Sequence, residues 1–129
     1  MANQQQVLTA ANIRYLLVIR ELTEGQHGVR SISIARRLGI SKPSVTAMLS
    51  TLRELGLVKK EKYGIVFLTE CGRRKADQYA DCVGLLTQRL QNPSGLDETD
   101  FQSAACAMLS DTPESELPAL LQNLRRKGS

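Results

Sequence analysis

The stretch SIARRLGISKPSVTAMLSTLRELGLV, residues 33–58, contains two helical patterns separated by a short turn. In the first pattern Ile34 and Leu38 recur at helical spacing, and Gly39 is the residue type that most often ends a helix. In the second pattern Ser41 is a typical N-cap, and Pro43 falls in the first turn, where a helix tolerates proline. The apolar side chains that follow form one stripe: Val45, Met48, Leu49, Leu52 and Leu55. Two helices joined by so short a turn predict a helix-turn-helix.

Both flanks of this stretch extend the pattern. Downstream, two β-rich runs surround a turn at about Lys62–Gly64, which predicts a β-hairpin, and a hairpin directly after a helix-turn-helix is a wing. Thr69 is expected to cap a long helix that ends near Leu90. Upstream, helical spacing runs from Thr9 to near Thr23, and residues 29–31 predict a short strand.

The C-terminal part predicts two further amphipathic helices. One is expected from Asp97 to about Leu109, and the other is expected to open near Pro113. The expected inner faces are Phe101, Ala104, Ala105, Met108 and Leu109 in the first, and Leu117, Leu120, Leu121 and Leu124 in the second. So much apolar surface favours a homodimer, although the same helices can instead cover one another in a monomer.

Charge is distributed unevenly along the 129 residues, which carry a net charge of +4. Residues 1–75 hold thirteen Lys and Arg against five Asp and Glu, whereas residues 76–129 hold four against eight. A basic part that contains a helix-turn-helix favours a polyanionic partner. We see no apolar run of the roughly 20 residues that a membrane span needs and no signal-peptide pattern, so we expect a cytoplasmic protein without a membrane partner. The three widely spaced Cys suggest neither a disulfide framework nor a zinc site.

The second helix of a helix-turn-helix presents its first turns to base edges in the major groove of double-stranded DNA. The candidate DNA-binding residues there are mostly small or hydroxyl-bearing: Ser41, Lys42, Pro43, Ser44, Thr46, Ala47 and Ser50. The cations expected to bind phosphate or to lie nearby are Arg30, Arg53, Lys59, Lys60 and Lys62. Because Arg, Asn and Gln are missing from those first turns, we expect modest direct readout and a larger contribution from DNA shape.

The predicted fold class is mostly α. A winged helix-turn-helix DNA-binding domain with a β-hairpin wing is expected at residues 1–75, and a helical dimerisation region at residues 76–129. We expect no enzyme, because the sequence holds no recognisable catalytic motif and its one His, His27, sits in a Gly-flanked loop where it is expected to be solvated. A winged-helix protein–protein adaptor that does not bind DNA stays open as an alternative, since a fold does not dictate a function.

Four segments resemble the iron- and manganese-dependent repressors of the diphtheria toxin repressor type. They are residues 34–49, LRELGLV at 52–58, LTECG at 68–72 and MLS at 108–110. The resemblance covers about residues 9–115. It implies a transcriptional repressor that binds a palindromic operator as a homodimer, built by the C-terminal helices with the first helix. Regulators of the multiple antibiotic resistance type share a similar wing and are the alternative family.

The resemblance also implies a manganese or iron site, but the corresponding positions hold other residues here. They are Arg14 and Leu17 in the first helix, Val83 in the long helix, and Ser103, Cys106 and Ala107 in the fifth helix. Only Cys106 suits a soft metal, and one thiolate does not make a site. We therefore expect no metal cofactor, and we hypothesise that the Arg14 guanidinium stands where the family binds a cation.

Overall fold

The computed structural model describes residues 8–23, 27–90, 98–112 and 114–126. The helices are α1 (Ala10–Leu22), α2 (Ser31–Leu38), α3 (Lys42–Glu54), α4 (Glu70–Leu90), α5 (Glu98–Ser110) and α6 (Leu117–Arg126). The strands are β1 (Val29–Arg30), β2 (Val58–Glu61) and β3 (Ile65–Leu68), and short 3₁₀ turns lie at Lys62–Gly64 and Glu114–Glu116. The predicted fold class, mostly helical with a β-hairpin wing, is confirmed. Within these described ranges no helix is long and apolar enough to cross a membrane.

The chain divides into two compact units, and the division falls inside α1 and α4. One unit, Tyr15–Asp77, contains α2, α3 and the sheet; we call it the winged unit. The other contains the described residues before Tyr15 and after Asp77, including α5 and α6; we call it the helical unit. The functional boundary expected near residue 75 stays a prediction.

The start of α1 is fixed by a reciprocal pair of hydrogen bonds. The backbone N–H of Asn12 donates to Thr9 Oγ1 at 3.0 Å, and the backbone N–H of Thr9 donates to Asn12 Oδ1 at 2.9 Å. This is a capping box in which Asn takes the place of the usual Glu or Gln. Thr9 is therefore the N-cap of α1.

Gly39 and Ser41, from which the sequence predicts the turn between α2 and α3, form that turn in the structure. Gly39 has φ +70° and its N–H donates to the carbonyl of Ala35 at 2.8 Å, which ends α2 in a left-handed cap. Ser41 is the N-cap of α3, where its Oγ accepts the N–H of Ser44 at 3.3 Å. Val45 lies on the buried side of α3 and is fully buried, and the opposite side of the helix faces solvent.

The three strands form an antiparallel sheet in the order β1–β3–β2. Val66 pairs with Val29 on one side and Lys60 on the other, and Leu68 pairs with Val58. Val66 and Leu68 are buried, whereas their neighbours Ile65 and Phe67 are only partly so. Because side chains alternate along a strand, one face of the sheet packs on the core and the other is open.

The first turn of α4 is bonded to the turn between α3 and β2. Thr69 Oγ1 donates to the carbonyl of Gly56 at 2.7 Å and accepts the N–H of Gly72 at 3.0 Å, so the predicted cap at Thr69 is confirmed. The N–H of Thr69 donates to the carbonyl of Leu57 at 3.0 Å. Gly72 lies so close that a Cβ added to it would overlap the Leu57 carbonyl oxygen. Only glycine allows this contact between two backbones.

In the helical unit the buried side of α5 differs from the predicted one. Ala105 and Leu109 are buried as expected, and Cys106 is buried beside them. Ala104 is exposed and Met108 is 49% exposed, so these two assignments to the inner face are wrong for the single chain. A helix advances about 100° per residue, which sets Ala104 and Met108 roughly opposite Cys106 and Leu109.

The last helix also begins differently from the prediction. A 3₁₀ turn at Glu114–Glu116 precedes α6, where Leu117 and Leu121 are buried and Leu120 is partly buried. Asp97 and Pro113, and the side chains of Phe101 and Leu124, lie outside the described residues.

Gly72→Ala is expected to lower the free energy of unfolding by about 1–3 kcal/mol, because the new methyl group must displace the Leu57 backbone. Gly84→Ala in the same helix is the matched control, since a Cβ there meets nothing within 4 Å and alanine is the better helix former. Urea denaturation of the two variants measures both effects. Equal stability of the two would refute the close-contact explanation.

Candidate nucleic-acid interface

The exposed side of α3 carries every residue that the sequence predicted to meet bases. Those residues are Ser41, Lys42, Pro43, Ser44, Thr46, Ala47 and Ser50, and all seven are exposed. The two hydroxyls at the start of the helix also contact each other, with Ser41 Oγ donating to Ser44 Oγ at 3.0 Å. Small side chains let the helix backbone approach a partner closely, and hydroxyls both donate and accept hydrogen bonds.

A groove runs between α3 and β2 within the winged unit. Thr46, Ser50 and Arg53 line it from the helix, and Lys60 lines it from the strand, around a volume of about 160 Å³. The structure therefore brings together two predicted phosphate-binding cations and two predicted base-contacting hydroxyls. This pairing of cations with hydrogen-bonding groups suits a nucleic-acid backbone beside base edges.

Lys59 lies on the opposite face of the sheet from Lys60. It pairs with Phe67 across the strands, and its Nζ lies 5.7 Å from the centre of the Phe67 ring. The same Nζ lies 3.9 Å from a carboxylate oxygen of Glu61. Because an ammonium over an aromatic face and beside a carboxylate is already partly paired, Lys59 is less available to phosphate than Lys60. Its predicted DNA contact is untested.

The other two predicted cations lie elsewhere in the winged unit. Arg30 ends β1, is exposed, and pairs with Ile65, so it belongs to the same open face as Lys59. Lys62 opens the 3₁₀ turn at the tip of the wing and is also exposed. Neither makes an ion pair with another residue in the described part of the chain.

Further basic residues of the winged unit are neutralised inside the unit itself. Arg20 Nε lies 2.7 Å from Asp77 Oδ1, and Arg37 Nη2 lies 3.1 Å from Glu21 Oε1. Their charges are satisfied locally. Arg20 and Arg37 are therefore less available to a polyanion than Lys60 and Lys62, for which the described residues offer no ion pair.

Sequence reasoning missed one residue of the wing, Tyr63. Its side chain is 90% exposed at the tip, and its backbone has φ +65°, which non-glycine residues seldom adopt. The sequence does contain a signal for it, because an aromatic residue stands between Lys62 and Gly64 in the predicted turn of the hairpin. His27, in contrast, is simply exposed.

The positions at which the family resemblance implies a metal do not fit manganese or iron. Arg14, Leu17, Val83 and Ala107 offer no suitable donor atom, and Ser103 offers only a hydroxyl. These metals are held by carboxylate and imidazole ligands. Within the described residues no group of three or more His, Cys, Asp or Glu is placed to hold a metal ion.

The one thiol among those positions is held in its neutral form. Burial raises the pKa of Cys106, and the nearby Arg14 guanidinium offsets only part of that rise. Burial, with a contribution from the Asp81 carboxylate, also raises the pKa of Cys82 to about 11, against a smaller lowering by Arg125. Since metals bind the thiolate, a metal at either cysteine must displace a proton that burial holds more tightly.

Comparison with known proteins finds a family model and curated relatives that each match about half of the chain. Residues 8–66 match the sequence model of the family described as iron dependent repressor, N-terminal DNA binding domain. Transcriptional regulator MntR of Escherichia coli O6:H1 is 34% identical over 64 residues, which are 50% of this chain and 41% of that protein. The chain thus spans less than half the length of this curated relative.

Two solved structures share the fold over most of the chain. A hypothetical protein from Sulfolobus solfataricus has a TM-score of 0.64 and 28% identity, over 91% of this chain and 89% of that one. The manganese regulator SloR has a TM-score of 0.67 and 24% identity, over 89% of this chain and 52% of that one. At 24% identity the likeness to SloR shows the fold alone.

Proposed function

We propose that this chain, whose residues 8–66 match the N-terminal DNA-binding domain of the iron-dependent repressor family, is a sequence-specific transcriptional repressor. The groove between α3 and β2 carries the proposal, because it joins Thr46 and Ser50 to Arg53 and Lys60 on one accessible surface. Its expected ligand is double-stranded DNA, with α3 in the major groove.

In this arrangement phosphate contacts position the protein and base contacts specify the sequence. Lys60 and Arg53 bind phosphates along the edge of the groove. Thr46 and Ser50 hydrogen-bond base edges, while Ala47 and the Thr46 methyl pack against thymine methyl groups. Since no Arg, Asn or Gln stands in the first turns of α3, DNA shape contributes a large share of the specificity.

The operator is palindromic and the protein binds it as a homodimer. The exposed side of α5, which carries Ala104, Ala107 and Met108, supports this part of the proposal because a second copy would cover the Met108 side chain. A twofold dimer presents two copies of α3 at half-sites about one helical turn apart.

Lys60→Ala is expected to weaken binding to every duplex and to lower the salt slope by about one unit, because one phosphate contact is lost. Lys59→Ala is the matched control: it removes the same charge from the neighbouring position, whose side chain is engaged by Phe67 and Glu61. Fluorescence anisotropy with a random-sequence duplex across several salt concentrations measures both slopes.

Two results of this experiment decide against parts of the proposal. If the unaltered protein binds no duplex even at low salt, DNA binding is wrong and a protein–protein adaptor is favoured. If Lys59→Ala reduces the slope as much as Lys60→Ala, the groove is not the phosphate-binding surface.

Thr46→Ala is expected to relax preference at one or two base positions at a cost of about 1–3 kcal/mol each, because α3 loses a hydroxyl that faces the groove. Selection from a randomised duplex library compares the variant with the unaltered protein. A uniform loss of affinity over all sequences would show that Thr46 does not read bases.

We further propose that DNA binding by this protein needs no manganese or iron. The donor chemistry at the implied ligand positions supports this, as does the Arg14 guanidinium near the protonated Cys106 thiol. A guanidinium carries a permanent positive charge, so it supplies electrostatically what a bound cation would supply.

Calorimetric titration with Mn²⁺, Fe²⁺, Zn²⁺ and Co²⁺ is expected to show no stoichiometric micromolar binding. Affinity for DNA is expected to stay within about twofold when excess Mn²⁺ is exchanged for EDTA, because the implied positions lack carboxylate and imidazole groups. One metal bound per chain at micromolar concentration would end the proposal.

A further inference from the structure

We propose that Tyr63 is a DNA-contacting residue whose ring enters the minor groove next to the major groove occupied by α3. This inference rests on the proposed DNA binding. It assigns to the tip of the wing a contact that is neutral, and therefore different from the phosphate contacts of the neighbouring lysines.

The backbone at the tip favours residues other than tyrosine. Tyr63 has φ +65° and ψ +23°, and Gly64 follows with φ +72°. Two consecutive positive φ angles in a hairpin turn are typical of Asn-Gly, Asp-Gly or Gly-Gly, because these residues adopt that conformation with least strain. A tyrosine at the first position therefore opposes the local preference, and unfavourable conformations of this kind concentrate at functional sites.

The side chain makes little use of its apolar surface within the chain. Tyr63 is 90% exposed, the most exposed large apolar residue among those that the structure describes. The fold gains little by burying this ring. Its apolar surface is available to a partner.

The charges around the ring identify that partner as an anion. Glu61 is the one acidic residue of the tip, and Lys59 lies 3.9 Å from its carboxylate. Lys60 and Lys62 make no ion pair in the described part of the chain, so the surroundings of Tyr63 are cationic. An aromatic ring flanked by unpaired lysines suits a nucleic acid better than an acidic protein, because apolar sugar walls lie beside phosphates.

The position of the wing selects the minor groove. Lys60 lines the groove beside α3, and Tyr63 lies three residues further along the hairpin, at its tip. With α3 in the major groove, our proposal places the tip of this hairpin beyond the intervening phosphates, at the adjacent minor groove. That groove is about 6 Å wide, and proteins that bind it often insert apolar side chains.

The test compares Tyr63→Asn with Tyr63→Phe. Asparagine suits a positive φ, so Tyr63→Asn is expected to keep or raise the melting temperature while weakening DNA binding about tenfold. Tyr63→Phe keeps the ring and is expected to bind within about twofold of the unaltered protein. The salt slope is expected to stay unchanged in both variants because no phosphate contact is lost. Tyr63→Gly, which also accepts a positive φ, repeats the test should Tyr63→Asn express poorly.

Netropsin, which occupies A·T minor grooves, locates the contact. On a DNA site flanked by A·T pairs, netropsin is expected to lower the DNA affinity of the unaltered protein several-fold more than that of Tyr63→Asn. Unchanged affinity of Tyr63→Asn, or equal sensitivity to netropsin, overturns the assignment of Tyr63 while DNA binding itself stands. If the unaltered protein does not bind DNA, the proposed function itself is wrong. An error in the assignment of Tyr63 and an error in the proposed function therefore give different results.

Discussion

The contact between Gly72 and the backbone of Leu57 is the constraint on which the winged unit depends. It locks the start of α4 against the turn that links α3 to β2, and Thr69 reinforces it with bonds to Gly56 and Leu57. The turn sets how β2 leaves α3, and with it the spacing between the helix and Lys60. The surface proposed to bind DNA is thus positioned by a backbone contact in which one partner, Gly72, has no side chain.

Local signals in the sequence were enough to predict the helices and the wing. The capping hydrogen bonds of Gly39, Ser41 and Thr69 join residues a few positions apart, so these caps can be inferred without knowing the fold. The orientation of side chains depends on packing over longer distances. A run of lysines does not reveal strand register, which separates Lys59 from Lys60. Helix α5 has apolar residues on two sides, and packing buries the side that carries Cys106. These features required the structure.

The sequence match and the side chains at the implied ligand positions lead to different expectations about a bound metal. Residues 8–66 match a family described as iron-dependent, whereas the implied ligand positions carry a guanidinium, a buried thiol, a hydroxyl and aliphatic groups. A winged helix-turn-helix can keep its geometry while the group that controls it changes, because the elements that build the interface all lie within residues 15–77. Regulation can therefore diverge without altering the surface proposed to bind DNA.

The strand order has a consequence for the behaviour of the protein in solution. β2 is an outer strand of the sheet, and its unpaired backbone groups could template a strand from another molecule. Three consecutive charged residues, Lys59, Lys60 and Glu61, make such stacking unfavourable. These charges thus guard against self-association through β-edges, so neutralising several of them together would promote aggregation as well as weaken the proposed binding to DNA.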